Sequence, residues 1–242
     1  MKQFEAVVRA LEQSGGFATL NEIYRHAVSA PGVSWGTKTP HASVRRILQT
    51  HPSLFFRIKP GLWGLKSREQ QILEQLGIGE KATDKQKQQF DHSYYQGLLV
   101  EIGNMMGFST YIPSQDKNKI FLSRKLGDIA TLNKLPLFTY KELVHTAGRI
   151  DVVWINERGF PEAFFEVEHT TNFRDALVKF GEFIDFSTRF RIVADESRRS
   201  QFEKTVKLQS FKAVQKRVRF ISYDKVGELH SQWSKAKTML NI

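Results

Sequence analysis

Three acidic residues, Asp151, Glu166 and Glu168, lie inside two short apolar runs, where acids are least expected. Glu166 and Glu168 are two residues apart, so an extended strand places both side chains on the same face. Two carboxylates about 4 Å apart repel by roughly 4 kcal/mol at an effective dielectric of 20, and burial raises that cost. The pattern therefore predicts a cation between these side chains.

The identity of this cation follows from the other residue types. The chain contains no cysteine, and its seven histidines show no zinc spacing. A hard divalent ion that prefers oxygen ligands, Mg²⁺ with Mn²⁺ as the alternative, is the natural candidate. A second interpretation stays open, in which the acids lie at strand ends and reach solvent or pair with Arg149 or Arg174.

The elements that position these acids can be predicted from the apolar pattern. Residues 150–155 and 163–167 are rich in β-branched and aromatic residues and are separated by a turn sequence, which predicts two neighbouring strands. If they form a hairpin, Asp151 reaches the face that carries Glu166. Further helices are predicted at 91–106, 173–186, 197–209 and the C-terminus, and further strands at 108–112, 190–194 and 219–222. Such alternation indicates an α/β sheet covered by helices.

The N-terminal region has a different pattern. Apolar residues at helical spacing predict helices over 2–13 and 19–29, and a third that begins near Thr39 and Pro40. Thr19 and Glu22 form a capping-box pattern at the start of the second helix. Residues 54–65 then predict a two-stranded hairpin with a Pro-Gly turn. Three helices followed by a hairpin is the order of a winged helix-turn-helix.

This region resembles the winged helices of the HARE-HTH type, which are attached to restriction enzymes and chromatin proteins. The resemblance is carried by Thr39-Pro40-His41-Ala42-Ser43-Val44-Arg45-Arg46-Ile47-Leu48 and by Phe56-Arg57-Ile58-Lys59-Pro60-Gly61-Leu62-Trp63-Gly64-Leu65. With Val44, Ile47 and Leu48 turned inward, the opposite face of the third helix would enter the major groove of DNA. The predicted DNA-binding residues of this helix and the wing are Lys38, Thr39, Arg45, Arg46, Gln49 and Lys59.

The second region resembles the PD-(D/E)XK nuclease superfamily. The residues that carry this resemblance are Glu101 on the opening helix, Ile150-Asp151, and Phe165-Glu166-Val167-Glu168. The resemblance implies that Asp151 and Glu166 are metal ligands and that Glu101 is an outer ligand. Glu168 stands where the usual pattern has lysine, a departure that some restriction enzymes of the superfamily share. It makes Glu168 the candidate general base, and Glu101, Asp151, Glu166 and Glu168 the candidate catalytic residues.

Charge and composition narrow the class of partner. The chain of 242 residues has 36 lysines and arginines against 25 acids, for a net charge of +11, and residues 1–66 hold nine basic and three acidic residues. This balance favours a polyanion, here double-stranded DNA. No apolar run approaches the roughly 20 residues of a membrane span. The absence of cysteine and of a signal-peptide core predicts a cytoplasmic protein without a membrane partner.

These observations predict an α/β fold in which an N-terminal winged helix-turn-helix domain precedes a restriction-endonuclease-like mixed sheet flanked by helices. The predicted divisions are 1–66 for the winged helix, 67–90 for a helical linker and 91–242 for the nuclease domain. The predicted function is a Mg²⁺-dependent DNA endonuclease of restriction type that acts as a homodimer. Two alternatives stay open: a non-catalytic DNA-binding regulator with a degenerate nuclease fold, and a structure-specific repair nuclease.

Overall fold

The computed structural model describes residues 1–169 and 173–240, and of residues 237–240 it describes the backbone only. The chain forms two compact units, one of Met1–Gln86 with Gly227–Ile242 and one of Lys87–Val226. This division differs from the predicted boundaries, because residues 67–86 and the C-terminal segment pack with the first unit. Ile72, in the predicted linker, is fully buried. A Cβ atom at Gly227 would lie 2.7 Å from the backbone of Pro60, so the two segments are in close contact.

The first unit contains the predicted three helices and hairpin. Its elements are α1 (Gln3–Gln13), β1 (Phe17–Thr19), α2 (Leu20–Val28), α3 (Pro40–Thr50), β2 (Phe55–Lys59), β3 (Leu62–Leu65) and α4 (Glu69–Gln75). The strand β1 is an addition that the sequence pattern does not indicate. It pairs antiparallel with β3 and completes a sheet in the order β1-β3-β2. The predicted helix-turn-helix arrangement with a hairpin is confirmed.

Local sequence explains why these helices begin and pack where they do. Thr19 caps α2, because its hydroxyl accepts from the Glu22 N–H while the Glu22 carboxylate accepts from the Thr19 N–H at 3.0 Å. Val44, Ile47 and Leu48 recur at helical spacing along α3, and all three are buried against the core of the unit. The opposite face of α3 is left in solvent.

The second unit contains the acidic residues of interest. Its elements are α5 (Asp84–Met105), β4 (Ser109–Tyr111), β5 (Ile120–Phe121), β6 (Arg124–Lys125), α6 (Leu126–Ile129), α7 (Lys141–Ala147), β7 (Val152–Ile155), β8 (Pro161–Val167), α8 (Phe173–Gly181), β9 (Arg189–Ala194), α9 (Arg199–Val206), α10 (Lys212–Gln215), β10 (Val218–Ser222) and α11 (Tyr223–Leu240). The unit boundaries fall within α5 and α11. Within residues 1–169 and 173–240, no helix combines the length and hydropathy that a membrane span requires.

The main sheet of this unit has five strands in the order β10-β9-β8-β7-β4. β8 pairs parallel with β9, and β9 pairs parallel with β10. β7 pairs antiparallel with both β8 and β4. The sheet is therefore mixed, and helices cover its apolar faces, so the predicted fold class is confirmed. One core cluster joins β8 and β9 to α8 through residues that include Phe164, Leu177, Phe180, Phe190 and Ile192.

Close contacts hold α5 against the opposite face of the sheet. The indole N–H of Trp154, on β7, donates to the backbone carbonyl of Leu99 at 3.1 Å. A Cβ atom at Gly97 would lie 2.2 Å from the ring of Phe121, which is itself buried, so only glycine allows this approach. The first half of α5 is thereby fixed beside the start of β7, where Asp151 lies.

Candidate active site

Asp151 and Glu166 are brought together by the antiparallel pairing of β7 and β8. Val152, the first residue of β7, lies opposite Phe165 in β8, so the preceding residue, Asp151, falls beside Glu166. The Asp151 carboxylate is held there because its Oδ2 accepts a hydrogen bond of 2.7 Å from the backbone N–H of Val167. The predicted approach of these two acids is present in the structure.

Glu166 is almost fully buried, with 3% of its surface exposed. Lys179, on α8, supplies a compensating charge, because its Nζ lies 2.6 Å from both carboxylate oxygens. Only the contact with Oε2 has hydrogen-bond geometry, so Oε1 is buried without a hydrogen-bond donor. Burial and the Asp151 carboxylate raise the pKa of Glu166 well above its usual value, and Lys179 opposes this effect.

Glu168 follows directly after the end of β8 and is half-buried. Its backbone is fixed at both polar groups: the N–H donates to the Val193 carbonyl at 2.8 Å, and the carbonyl accepts from the Tyr223 hydroxyl at 3.3 Å. Burial and the Asp151 carboxylate raise the pKa of Glu168. Asp151 therefore acts electrostatically on both glutamates, and the three predicted acids form one cluster.

The helix α5 contributes two residues that the sequence pattern does not reveal as site residues. His92 and Gln96 are four residues apart, so their side chains lie on the same side of the helix. His92 Nε2 lies 3.5 Å from Asp151 Oδ1 and 3.8 Å from Asp116 Oδ2. The Gln96 amide donates to Asp116 Oδ2 at 2.8 Å and to the Asp151 backbone carbonyl at 3.1 Å. Polar residues within the apolar stripe of a helix are the signal that could have identified them.

Asp116 is a buried acid from the connection after β4, and no periodic pattern marks it in the sequence. Lys119 Nζ lies 2.7 Å from its Oδ1, while Gln96 binds its Oδ2. Burial alone would raise the pKa of Asp116, but hydrogen bonds with His92, Lys119 and Gln96 hold it well below its usual range. Asp116 is therefore a fixed anion that completes the site on the side away from β8.

His92 joins the two aspartates into one network. Burial alone would lower the pKa of His92, but hydrogen bonds to Asp116 and Asp151 raise it to about 9. His92, Asp116 and Asp151 present ligand atoms that all lie within 4.8 Å of one another, a spacing that a metal ion could bridge. Because Lys119 and Gln96 already bind both oxygens of Asp116, this group is arranged as an ion-pair network around a protonated imidazole.

Glu101 lies elsewhere on α5. At about 100° per residue, it is roughly 180° around the helix from His92, whose ring reaches Asp151. Its carboxylate pairs with Arg124 on β6. The structure therefore gives this acid a surrounding different from that of the three-acid cluster, because helical phase turns it away from the start of β7. Its role as an outer ligand stays a prediction.

His169 lies next to Glu168 and contacts Tyr223 on α11. Its Nδ1 lies 2.7 Å from the Tyr223 hydroxyl, and its ring centroid is 5.6 Å from that of His92. Tyr223 in turn stacks on Tyr95 with ring centroids 3.8 Å apart. His169 thus belongs to an aromatic wall beside the acids, which agrees with a structural role for this residue.

The predicted DNA-binding residues lie on one exposed surface of the first unit. Those exposed on and just before α3 are Lys38, Thr39, Arg45, Arg46 and Gln49, while Lys59 at the end of β2 is half-buried. Arg45 also interacts with the Tyr24 hydroxyl on α2. The exposure required for DNA contact is therefore present, and the contact itself stays a prediction.

Comparison with known proteins connects both units to restriction enzymes. Residues 75–240 match a family model described as the type II restriction enzyme NmeDI C-terminal domain. Residues 3–67 match the HARE-HTH model, described as an HTH domain of ASXL and restriction endonuclease proteins. Over 150 residues the chain is 27% identical to the type II restriction enzyme NmeDI of Neisseria meningitidis serogroup C. The alignment covers 58% of this chain but only 42% of that enzyme. No solved structure matches.

The raised pKa of His92 predicts a pH-dependent stability of the metal-free protein. The folded state binds this proton more tightly than the unfolded state, so the stabilisation is complete below pH 6.5 and is lost as pH rises through about 9. In EDTA, we expect wild type to lose about 3 kcal/mol of unfolding free energy over this range relative to His92→Gln. Urea denaturation at a series of pH values measures the difference.

The matched control is His145→Gln, because His145 is exposed on α7. This variant should follow the wild-type curve at every pH. Wild-type and His92→Gln curves that run parallel from about pH 6 to pH 10 would show that His92 does not carry the proton between the two aspartates.

Proposed function

The chain belongs to the family of the type II restriction enzyme NmeDI C-terminal domain, and we propose that it is a metal-dependent DNA endonuclease of restriction type. The family match includes every residue of the acidic cluster. One observation carries the proposal: Asp151, Glu166 and Glu168 converge at the ends of β7 and β8, beside Lys179. The chain spans less than half of its curated relative, so the activity is argued from its own residues.

We interpret the site as a variant of the PD-(D/E)XK pattern in which Glu168 takes the position of the usual lysine. The placement of Lys179 supports this interpretation. Its ammonium group reaches Glu166 from α8 rather than from β8. A lysine charge is therefore available at the acids even though the strand carries glutamate. This arrangement argues against loss of activity through a missing lysine.

The donor set fits a divalent ion. The residues that would hold it are Asp151 and Glu166, whose carboxylate oxygens suit Mg²⁺ or Mn²⁺. Glu166 Oε1 is buried and has no hydrogen-bond donor, so this oxygen has lost water without gaining a protein partner. When bound, such an ion would lower the pKa of a water molecule and offset the negative charge that builds on the phosphate.

The protein residues then have distinct tasks in phosphodiester hydrolysis. As the water oxygen bonds to phosphorus and one ester P–O bond breaks, Glu168 accepts the water proton. Its raised pKa makes it a stronger base than an exposed glutamate. Lys179 places a positive charge beside the phosphate. His92 and Gln96 position Asp151, because they bind its carboxylate and its backbone carbonyl respectively.

The first unit would supply DNA affinity. Its HARE-HTH match and the exposed basic face of α3 support binding to double-stranded DNA. We propose that the functional division follows the predicted one, with residues 1–66 for DNA binding, 67–90 as a connection and 91–242 for cleavage. One acidic site per chain would cut one strand, so cleavage of a duplex calls for a homodimer.

The two alternatives make different demands on the site. A non-catalytic regulator has no need of an acid cluster with an unsatisfied buried oxygen, and the restriction enzyme found by comparison favours a nuclease. A structure-specific repair nuclease would use the same acids. It would prefer junctions, flaps or single strands to intact duplex.

Removal of the acids should abolish Mg²⁺-dependent cleavage. We expect Glu168→Gln to lower the cleavage rate by about 10²- to 10⁴-fold, since it loses the proton acceptor. Asp151→Asn should lower the rate at least as much, since it removes a metal ligand. The measurement is linearisation of supercoiled plasmid, methylated and unmethylated, with the fragment ends mapped.

Glu157→Gln is the matched control, because Glu157 is exposed in the turn between β7 and β8. It should cleave at the wild-type rate, and all three variants should bind DNA like wild type. Wild-type cleavage by Asp151→Asn would disprove the catalytic assignment. Binding without cleavage by the wild-type protein would identify a regulator.

The contribution of α3 can be tested separately. Arg46→Ala should weaken DNA binding about tenfold and reduce the slope of log affinity against log salt by about 0.9, the value for one phosphate contact. Fluorescence anisotropy with a labelled duplex, without divalent ions, measures both quantities. Arg9→Ala, which removes an arginine on α1, outside the α3 surface, should leave both unchanged. Equal effects of the two variants would exclude a specific role for α3.

A further inference from the structure

A second charged feature lies at the opposite end of the main sheet. β8, β9 and β10 run parallel, and the acids follow the C-terminal end of β8. Near the N-terminal ends of the neighbouring strands lie Arg189 and Arg191 on β9 and Arg219 on β10. Ala163, opposite Arg189, is four residues before Val167, so the separation along β8 is about 13 Å. This arginine group is thus distinct from the acidic cluster.

Strand register places the three arginines on one face of the sheet. Arg219 lies directly opposite Arg191, and partners in adjacent strands project to the same side. Arg189 precedes Arg191 by two residues and therefore shares that side. The intervening Phe190 faces the other way, into the core. Three guanidinium groups consequently leave the sheet in one direction.

These side chains line a cavity of about 490 Å³. Its walls are formed by Ile184, Asp185, Phe186, Ser187, Thr188, Arg189, Arg191, Arg217 and Arg219. Four of these residues are cationic and one is acidic. The cavity therefore differs from a usual small-molecule pocket, which is mostly apolar. Its excess positive charge suits an anion.

Two of the four arginines already have structural partners. Arg217 donates to the backbone carbonyls of Ile184, Phe186 and Thr188, and its guanidinium lies 4.6 Å from the Phe190 ring centroid. Arg189 pairs with Glu162 at 2.7 Å. These contacts fix the cavity wall and consume the hydrogen-bonding capacity of Arg217.

Arg191 and Arg219 are different, because in the described part of the chain neither has an ion pair. Arg191 donates to the carbonyl of Phe190 at 2.8 Å, and Arg219 to that of Val218 at 3.4 Å. Arg191 is half-buried, so its charge is partly removed from water. Burial and the charges of Arg189 and Arg219 lower the pKa of Arg191. The remaining guanidinium N–H groups are available for a ligand.

Protection of the sheet edge does not account for this arrangement. Charged residues on an edge strand prevent pairing with other chains, and β10 is an edge strand, so this purpose could explain Arg219. It does not explain Arg191, which lies on the interior strand β9 and carries a costly half-buried charge. A bound anion between the two side chains would offset that cost.

We propose that this cavity binds a phosphate group through Arg191 and Arg219. The guanidinium fork matches phosphate oxygens in a bidentate manner, and hydroxyl groups of Ser187 and Thr188 line the same cavity. The phosphate could come from a nucleic-acid backbone or from free phosphate. Both sources share the chemistry, and the experiment separates them. The proposal does not depend on the acidic cluster.

The test compares the full chain with Arg191→Gln/Arg219→Gln and with the single variant Arg219→Gln, which changes an exposed residue and is expected to fold normally. Arg158→Gln/Lys207→Gln is the charge-matched control, since both of these residues are exposed outside the cavity. One arm measures binding to a labelled duplex across a salt series without divalent ions. The other measures Tm against inorganic phosphate at constant ionic strength.

If the backbone supplies the phosphate, the double variant should lose about 0.9 of the salt slope for each lost contact, and the control should lose none. If free phosphate is the ligand, wild type and control should gain about 3 °C with saturation, and the double variant should not. An effect that does not saturate is general salting-out, not binding, and would overturn the free-phosphate source. The same slope and the same phosphate response in the double variant and the control would overturn the proposal.

Because neither arm involves cleavage, the outcome is independent of the proposed nuclease activity. A variant that loses phosphate binding while wild type never cleaves DNA would support the cavity and reject the catalytic assignment. Arg219→Gln should show about half of the slope change of the double variant. A full effect from Arg191→Gln/Arg219→Gln with none from Arg219→Gln would contradict a site shared by both arginines.

Discussion

The buried contact between Glu166 and Lys179 is the interaction on which the site depends. A carboxylate with 3% of its surface exposed loses most of its hydration, and its charge requires compensation inside the protein. One ammonium group, at 2.6 Å, provides it. Asp151 and Glu168 add two more negative charges nearby, so acids outnumber the cation that lies among them. This imbalance is what makes a divalent ion the natural complement of the site.

The fold creates this imbalance by fixing the acids from different elements. β7 and β8 set Asp151 beside Glu166, and the hydrogen bond from Val167 prevents the aspartate from turning to solvent. From the other side, His92 and Gln96 hold Asp151 through α5. Removal of one support would leave the others in place. The acids are thus prevented from separating, which a flexible loop would not achieve.

The sequence predicted the acids on strands well because a strand has a period of two, and apolar runs that contain acids are rare. The same reasoning could not reveal Asp116, which lies in an irregular connection and meets Gln96 only through tertiary packing. Glu101 was predicted beside the acids from its apolar neighbours, but helical phase relative to His92 decides its direction. The pairing of Arg191 with Arg219 depends on the register of parallel strands, which no local pattern encodes.

The most direct test is the position of a divalent ion at the acids. Crystals of the full chain grown with Mn²⁺ would show the ion by anomalous scattering. The account predicts a peak about 2.1 Å from oxygens of both Asp151 and Glu166, with Lys179 moved away from Glu166 Oε2. A peak between His92 and Asp116 instead, or no peak at Asp151 while the Lys179 contact persists, would contradict it.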